Sequence, residues 1–476
     1  MENLFKNKKV LLVGLGRLGG GVASAKFLIA NGARLTVTDM GSEKDLKNSL
    51  SKLKRLNIKY ILGGHRESDF KNNDIIVFNQ AVSFFSKWVK LARKYKKPFF
   101  NETTLFLNLI QKENPKIGCI AVTGTRGKTT TAAWINYFLK SAIIGGNIPT
   151  AGFLKIIGKA IAVADKTPLV LEMSSFQLEY MTGGLKAPRV AVITNLHVDH
   201  LNRHSTMENY AKAKSNIFLN QTKNDFLILN FDDKNKKLFL EPPAGGKPKG
   251  KIFFISLKPL PKKINGLFFN ENKIYFQSFD STRDKCKKEF VIEVKGFSPH
   301  QKYNLLSSLL AAHLFGKNWR DLIKKISTLP EIPFRQQIVF DNGNLRIVND
   351  STATSPEGVI AALQRFGDDN PVLIAGGTDK DLDFKNLAKE IKKKVSEKNL
   401  YLLNGSATKK LIIELNNLKY FKKQPKLFEN LRDVLNSAKI KKGIILLSPG
   451  AASFEKFKNE FDRGRKFNKL VKEIFK

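Results

Sequence analysis

The chain has 476 residues, more than one ordinary hydrophobic core accommodates, so two or three domains are expected. With 42% hydrophobic and 26% charged residues it has a soluble globular composition, and no stretch approaches the roughly eighteen apolar residues of a membrane span. The net charge of +40 suits anionic partners, nucleic acid included, but the basic residues lie in every segment rather than in one arm or helix. That spread, with abundant Lys, Asn, Ile and Phe, matches the coding bias of an AT-rich genome, and no nucleic-acid partner is expected from it. Two cysteines, Cys119 and Cys286, exclude a disulfide framework and fit a reduced, cytoplasmic protein.

Lys6, Lys8 and Lys9 before an apolar run at 10–13 imitate a signal peptide, yet the run stops at Gly14 and reads as a strand. Gly14-Leu15-Gly16-Arg17-Leu18-Gly19 follows, then a helix over 23–31 and a strand over 35–38 ending at Asp39, 20 residues past Gly19. This is a dinucleotide fingerprint: a tight turn, a close phosphate approach and an acid for ribose hydroxyls. By itself it points to NAD. Helices over 44–56 and 86–95 and a strand over 75–79 continue the alternation of a parallel sheet. Residues 1–112 are therefore expected to form a Rossmann-like α/β domain.

A second domain, 113–330, opens on the apolar residues Ile117, Cys119, Ile120, Ala121 and Val122. Thr-Gly-Thr-Arg-Gly-Lys-Thr-Thr-Thr occupies 123–131, with a helix over 130–139. Gly124 and Gly127 let backbone N–H groups turn inward toward phosphate, and the helix N-terminus adds positive dipole. Thr125, Arg126 and Thr130 complete the loop. Lys128, solvent-facing until nucleotide binds, would neutralise β/γ-phosphate, and the Thr129 hydroxyl would ligate Mg²⁺. A standard P-loop needs Gly at position 122, where Val122 stands; the shorter loop is a distinctive variant. ATP or a close relative is the expected ligand.

Buried-type strands follow at 168–172, 190–195 and Phe226–Asn230. The first ends in Glu172, placed either near nucleotide-bound Mg²⁺ or to cap a helix start. The second runs into Leu196-His197-Val198-Asp199-His200-Leu201, two of the chain's six histidines around one acid. A helix beyond carries Lys212 and Lys214, which composition alone reads as solvated lysines. Segment 241–250 reads as a surface loop, 273–276 with 290–294 as an antiparallel addition, 303–315 as a helix and 329–333 as a linker. The third domain, 331–476, alternates strands Leu345–Asn349, Val372–Ala375, Leu400–Leu403 and Gly443–Leu447 with helices Pro356–Phe366, 387–396, 407–415 and one from about Asn459.

Five segments together resemble the Mur ligases: 123–130, Glu-Met-Ser-Ser-Phe-Gln-Leu at 172–178, Asn-Leu-His-Val-Asp-His-Leu at 195–201, Asn-Asp-Ser-Thr-Ala-Thr at 349–354 and Ser-Pro-Gly-Ala-Ala-Ser-Phe-Glu-Lys-Phe-Lys-Asn at 448–459. They cover essentially the whole chain. The last, with Ser-Ser-Phe-Gln-Leu, is similar to the branch that joins D-glutamate to UDP-N-acetylmuramoyl-L-alanine through an acyl phosphate, a cytoplasmic step of peptidoglycan synthesis. The resemblance implies ATP and Mg²⁺, with Lys128 and Thr129 at the phosphates, Glu172 at one metal and His200 at a second. Lys214 matches a lysine the family carbamylates. Asn147 matches a substrate asparagine near the reacting end, and Ser174 and Gln177 fall in a substrate motif. His300 and Asn304 match the adenine side; Arg335 and Asp350 match ATP contacts of the third domain. Thr354, Lys380, Ser453 and Phe461 match the D-glutamate site. Gly14, Gly16, Arg17, Leu18 and Asp39 would hold uridine diphosphate, which displaces the NAD reading.

Gln301, Thr352, Asn79-Gln80-Ala81-Val82 and Glu460 depart from the family pattern, which has Asn, Lys, a Pro-Gly turn and an aromatic residue nearby. Glu460 is expected to point away from a ligand carboxylate, because two close anions repel. A sister amide ligase such as a folylpolyglutamate synthase would share the P-loop but not 453–459. A nucleic-acid-dependent ATPase would account for the charge but not for the ligase motifs.

Overall fold

A computed structural model describes the chain except residues 1, 18, 149–150, 164–166, 182, 243–245, 281 and 476 and the side chains at 2 and 3. The chain divides into two compact units, Met1–Leu329 and Pro330–Lys476. The break falls in the segment expected to be a linker.

The first unit holds two sheets. One is five-stranded and parallel, ordered Ile58–Leu62, Arg34–Asp39, Lys9–Val13, Ile75–Phe78, Phe99–Asn101. Chain order reverses beside Lys9–Val13, so a crevice opens at its carboxyl end, where the glycine loop begins. Val10 to Val13 are fully buried, as a strand covered on both faces requires.

The other sheet has nine strands, with Cys119–Thr123 between Leu169–Glu172 and Val190–Ile193. The two strands at the far edge, Lys273–Asp280 and Lys285–Glu293, pair antiparallel. They are longer than the sequence segments expected there. Helices Lys128–Leu139 and Pro299–Leu314 pack together against this sheet.

The second unit carries a six-stranded sheet ordered Gln337–Asp341, Leu345–Asn349, Gly443–Leu447, Val372–Ala375, Leu400–Leu403, Leu427–Phe428. Only the Gln337–Asp341 edge runs antiparallel. The final helix, Glu460–Ile474, starts where expected because the Asn459 side chain accepts from Asp462 N.

Two helices end earlier than their patterns suggest. The one expected over 44–56 is Glu43–Leu50, opened by a Ser42–Asp45 capping box and followed by turns. The one expected over 387–396 is Lys385–Lys394, because Val395 is already extended at φ −129° and ψ 125°.

Candidate active site

The loop after Cys119–Thr123 is shaped by close packing. Gly124 has φ +145°, and a Cβ there would stand 1.9 Å from Thr194 Oγ1; at Gly127, φ +79°, it would stand 2.4 Å from Asn304 Oδ1. Neither position admits a side chain without rearrangement. Asn195 holds the loop by accepting from Thr125 N on its carbonyl at 3.0 Å and from Arg126 N on Oδ1 at 2.9 Å. Gly127 offers no side-chain cap to helix Lys128–Leu139, and the positive end of the helix dipole lies at the loop.

Lys128 is not solvent-facing, contrary to expectation. It is half-buried, and Nζ donates to Gly124 O at 3.0 Å and Thr125 O at 2.9 Å. The Gly124 and Thr125 carbonyls face the lysine, which folds back onto them.

Lys214 reaches the same place from helix Met207–Ser215. It is 1% exposed, donates to Gly124 O at 2.8 Å, and lies 4.4 Å from the Tyr210 ring centre. Burial, reinforced by the Lys128 charge, drives its amine well below the ordinary lysine range, with only Asp199 opposing. Lys212, two residues away, is exposed.

Glu172 ends its strand beside Val122. It is 2% exposed; Oε1 accepts from Asn147 Nδ2 at 3.2 Å, and Oε2 is buried without a hydrogen-bond partner among the described residues. That bare oxygen fits a cation better than a helix cap. The Ser174 side chain, not Glu172, caps helix Ser175–Leu178, in a capping box closed by Gln177. Among the described residues no group of three or more His, Cys, Asp or Glu could enclose a metal. A Mg²⁺ ion here would draw on Glu172 and the Thr129 hydroxyl, with phosphate oxygens completing its shell.

His200 is an exposed residue in the left-handed region, φ 55°, with Asp199 Oδ2 3.7 Å from its Nε2. Four residues on, His204 is buried between Ser175 Oγ, 3.0 Å from Nε2, and Glu179 Oε1, 3.4 Å from Nδ1. Burial first, then Lys214 and Arg203, lowers its pKa to about 4. That shift favours the neutral imidazole, with Ser175 Oγ within hydrogen-bond reach of Nε2. His204, Arg203, Glu179 and Tyr210 escaped the sequence reading; Arg203-His204 directly after the histidine motif was the available signal.

On the adenine-side motif, Asn304 lies against Gly127 and Oδ1 accepts from Thr131 Oγ1 at 3.3 Å. His300 Nδ1 is 3.1 Å from Ser298 Oγ. Gln301 is occupied by a capping box with Ser298, a structural task that accounts for an amide at that position.

In the first sheet's crevice, Asp39 spends its carboxylate on the glycine loop. Oδ2 accepts from Leu15 N at 2.7 Å and Gly16 N at 2.9 Å, and Oδ1 accepts from Gly41 N at 2.7 Å. It shapes the loop directly. Gly14 and Gly16 take φ +90° and +64°. Arg17 makes an exposed ion pair with Asp45 at 2.6 Å. Leu18 lies outside the described residues.

In the second unit, buried Asp350 accepts from Gln336 N at 3.1 Å and Ser448 Oγ at 2.8 Å. Burial raises its pKa to about 7, against the pull of Ser448, Gln336, Arg335 and Arg365. Thr352 Oγ1 donates to Phe334 O at 2.7 Å, a backbone tie that a lysine would not make. Ser453 is 3% exposed, and its Oγ has no hydrogen-bond partner among the described residues. With Thr378 and Lys456 it lines a small cavity. Lys380 is exposed; Thr354, Arg335, Glu460 and Phe461 are half-buried.

The Mur ligase middle domain matches residues 122–312. The chain is 34% identical over 473 residues to UDP-N-acetylmuramoylalanine–D-glutamate ligase of Roseiflexus sp. (strain RS-1), covering 98% of each. The enzyme of the same name from Borreliella burgdorferi (strain B31) is also 34% identical, again over 98% of each chain. The chain belongs to the Mur ligase family, whose members are ATP-dependent amide ligases. Among solved structures, UDP-N-acetylmuramate-alanine ligase from Thermotoga maritima shares the fold, with TM-score 0.56, 19% identity and coverage of 98% of this chain and all of that one.

Proposed function

We propose that this protein joins D-glutamate to UDP-N-acetylmuramoyl-L-alanine, with ATP as the energy source, in the cytoplasm. Identity over nearly the full length to relatives named for that reaction carries the reading. In this reading residues 1–112 bind the UDP-substrate through the loop 14–19, residues 113–330 bind ATP, and residues 331–476 bind the amino acid.

The L-alanine carboxylate attacks the γ-phosphate, giving an acyl phosphate and ADP; the D-glutamate amine attacks that carbonyl and phosphate departs. Lys128, drawn from its own loop carbonyls to the phosphates, offsets charge there, and the N-terminus of helix Lys128–Leu139 favours the phosphate oxygens. Asn147, beside Glu172, orients the substrate's reacting end. Bound Mg²⁺ supplies charge neutralisation for phosphoryl transfer, with Thr129 and Glu172 as its first holders and His200 with modified Lys214 as a second set. Lys214 modification is addition of its neutral amine to CO₂: an N–C bond forms, one C=O pair moves to oxygen, and a proton leaves. The product is a carboxylate-like ligand on a buried arm. Thr354, Lys380 and Ser453 take the D-glutamate carboxylates; the unpartnered Ser453 hydroxyl supports that placement.

Phosphate release measured with UDP-N-acetylmuramoyl-L-alanine and a panel of amino acids tests the reading. Release that requires both the UDP-sugar and D-glutamate is expected. Preference for lysine or diaminopimelate would move the chain to another branch of the family. Release stimulated by polynucleotide alone would overturn the ligase reading.

A further inference from the structure

Arg203 stands three residues beyond His200, on the short helix Leu201–His204. Its guanidinium takes both oxygens of Glu179, Nε to Oε1 at 3.0 Å and Nη2 to Oε2 at 2.8 Å. The other donors reach three successive carbonyls of the turn 79–82. Nη1 donates to Ala81 O at 2.7 Å, and Nη2 to Val82 O at 3.0 Å and Gln80 O at 3.4 Å. The Tyr180 hydroxyl adds a bond to Val82 O at 2.9 Å, and Phe84 N donates to Glu179 Oε2 at 3.4 Å. His204 Nδ1 also faces Glu179, and the Phe176 ring centre lies 4.6 Å from the guanidinium. The Arg203 and Glu179 side chains are 12% and 3% exposed.

The clasped turn covers the glycine loop. A Cβ on Gly14 would stand 3.0 Å from Asn79 Cβ and 3.6 Å from Val82 Cγ2; one on Gly16 would stand 3.7 Å from Asn79 Nδ2. Asn79-Gln80-Ala81-Val82 contains neither proline nor glycine; its internal bonds are those to Asn79, which accepts from Ala81 N on Oδ1 at 3.0 Å and from Val82 N on its carbonyl at 2.9 Å. The turn is anchored from outside by a planar five-donor group that reads two carboxylate oxygens and three carbonyls at once. An ammonium has no such fork.

We propose that Arg203, backed by Glu179, is a positioning residue that sets the span between the glycine loop and the P-loop. It thereby matches that span to a substrate carrying a diphosphate at one end and a reacting carboxylate at the other. The inference rests on the reading of loop 14–19 as the UDP-substrate site. ATP needs only the P-loop side of the clasp; the UDP-substrate must touch both sides. Loss of the fork therefore weakens the UDP-substrate selectively.

Calorimetric titration of the full-length protein with UDP-N-acetylmuramoyl-L-alanine, together with steady-state kinetics, tests this. Arg203→Lys is expected to weaken UDP-substrate binding at least tenfold while the KM for ATP stays within twofold. Because Glu179 unpaired in the interior could unsettle the fold, the double variant Arg203→Met with Glu179→Gln is the second probe. It is expected to melt with the wild type yet keep the weakened UDP-substrate affinity. Wild-type affinity in both variants, or equal losses for ATP and UDP-substrate, would overturn the clasp. No binding of the UDP-substrate by the wild type would overturn the functional reading beneath it.

Discussion

A lysine amine adds to CO₂ only when neutral, and burial, reinforced by the Lys128 charge, shifts Lys214 toward that form. Its pKa lies well below the ordinary value of 10.5, so the neutral fraction at any given pH is larger than for a free lysine and shrinks as pH falls. Lys214→Ala is expected to lower phosphate release by about 10²-fold or more, with formate restoring part of it. Exposed Lys212→Ala should match the wild type. Full activity of wild type in CO₂-depleted buffer, without a carbamate signal in ¹³C NMR, would refute the modification. Asp350 gives the opposite sign. Its folded pKa of about 7 exceeds the ordinary 3.8, so the native state holds a proton that the unfolded chain releases between those values. Stability is full below pH 4 and falls as pH rises through 7, a penalty on the order of a few kcal/mol. Asp350→Asn should therefore gain Tm relative to wild type between pH 5 and pH 8, measured without nucleotide. A pH-independent difference would show that Asp350 is not protonated in the fold.

The P-loop was legible as an element because Gly124, Gly127, Lys128 and Thr129 need only local spacing to act. Its supports were not legible, since Thr194, Asn195 and Asn304 come from distant segments. Gly127→Ala is expected to destabilise by roughly 2 kcal/mol or more, because positive φ and the contact with Asn304 Oδ1 act together. Thermal melting checks it; an unchanged Tm would mean the loop relaxes freely. Lys128→Ala should cost about 10²–10³ in phosphate release. It should also cost about 1 kcal/mol of stability, since Thr125 O loses its lysine donor while Gly124 O keeps Lys214. Most of the missed strands are edge elements; Lys251–Ser256 and Gly266–Asn270, interior to the nine-stranded sheet, were missed as well. Ile58–Leu62 and Gln337–Asp341 are mostly half-exposed strands, Phe99–Asn101 has three residues, and Ile143–Gly146 ends in two glycines. None shows the apolar run that marked Val10–Val13, because an edge strand has less surface to bury.

Across the whole molecule, substrate choice is assigned to three separate parts of the chain, so single variants should separate the substrates. Lys380→Ala is expected to raise the apparent KM for D-glutamate at least about tenfold, the roughly 1.4 kcal/mol of one charge-assisted hydrogen bond, with the KM for ATP unchanged. A change in KM for ATP instead would place Lys380 elsewhere. The +40 charge has no single patch in the sequence, and it raises the local concentration of anionic substrates without selecting among them.

The sequence by itself determined the alternation that makes parallel sheets, the nucleotide loop, the family and the break near residue 330. These are properties of short windows: periodic burial, glycine turns, and motifs in order. Tertiary structure alone decided which polar groups are buried together. Lys214 became a buried amine against Gly124, Asp39 a brace for its own glycine loop, Asp350 a carboxyl held up to about 7 and Arg203 a clasp on a turn 120 residues earlier in the chain. Desolvation and hydrogen-bond partners arise from chain segments far apart in sequence, and no local spacing encodes them.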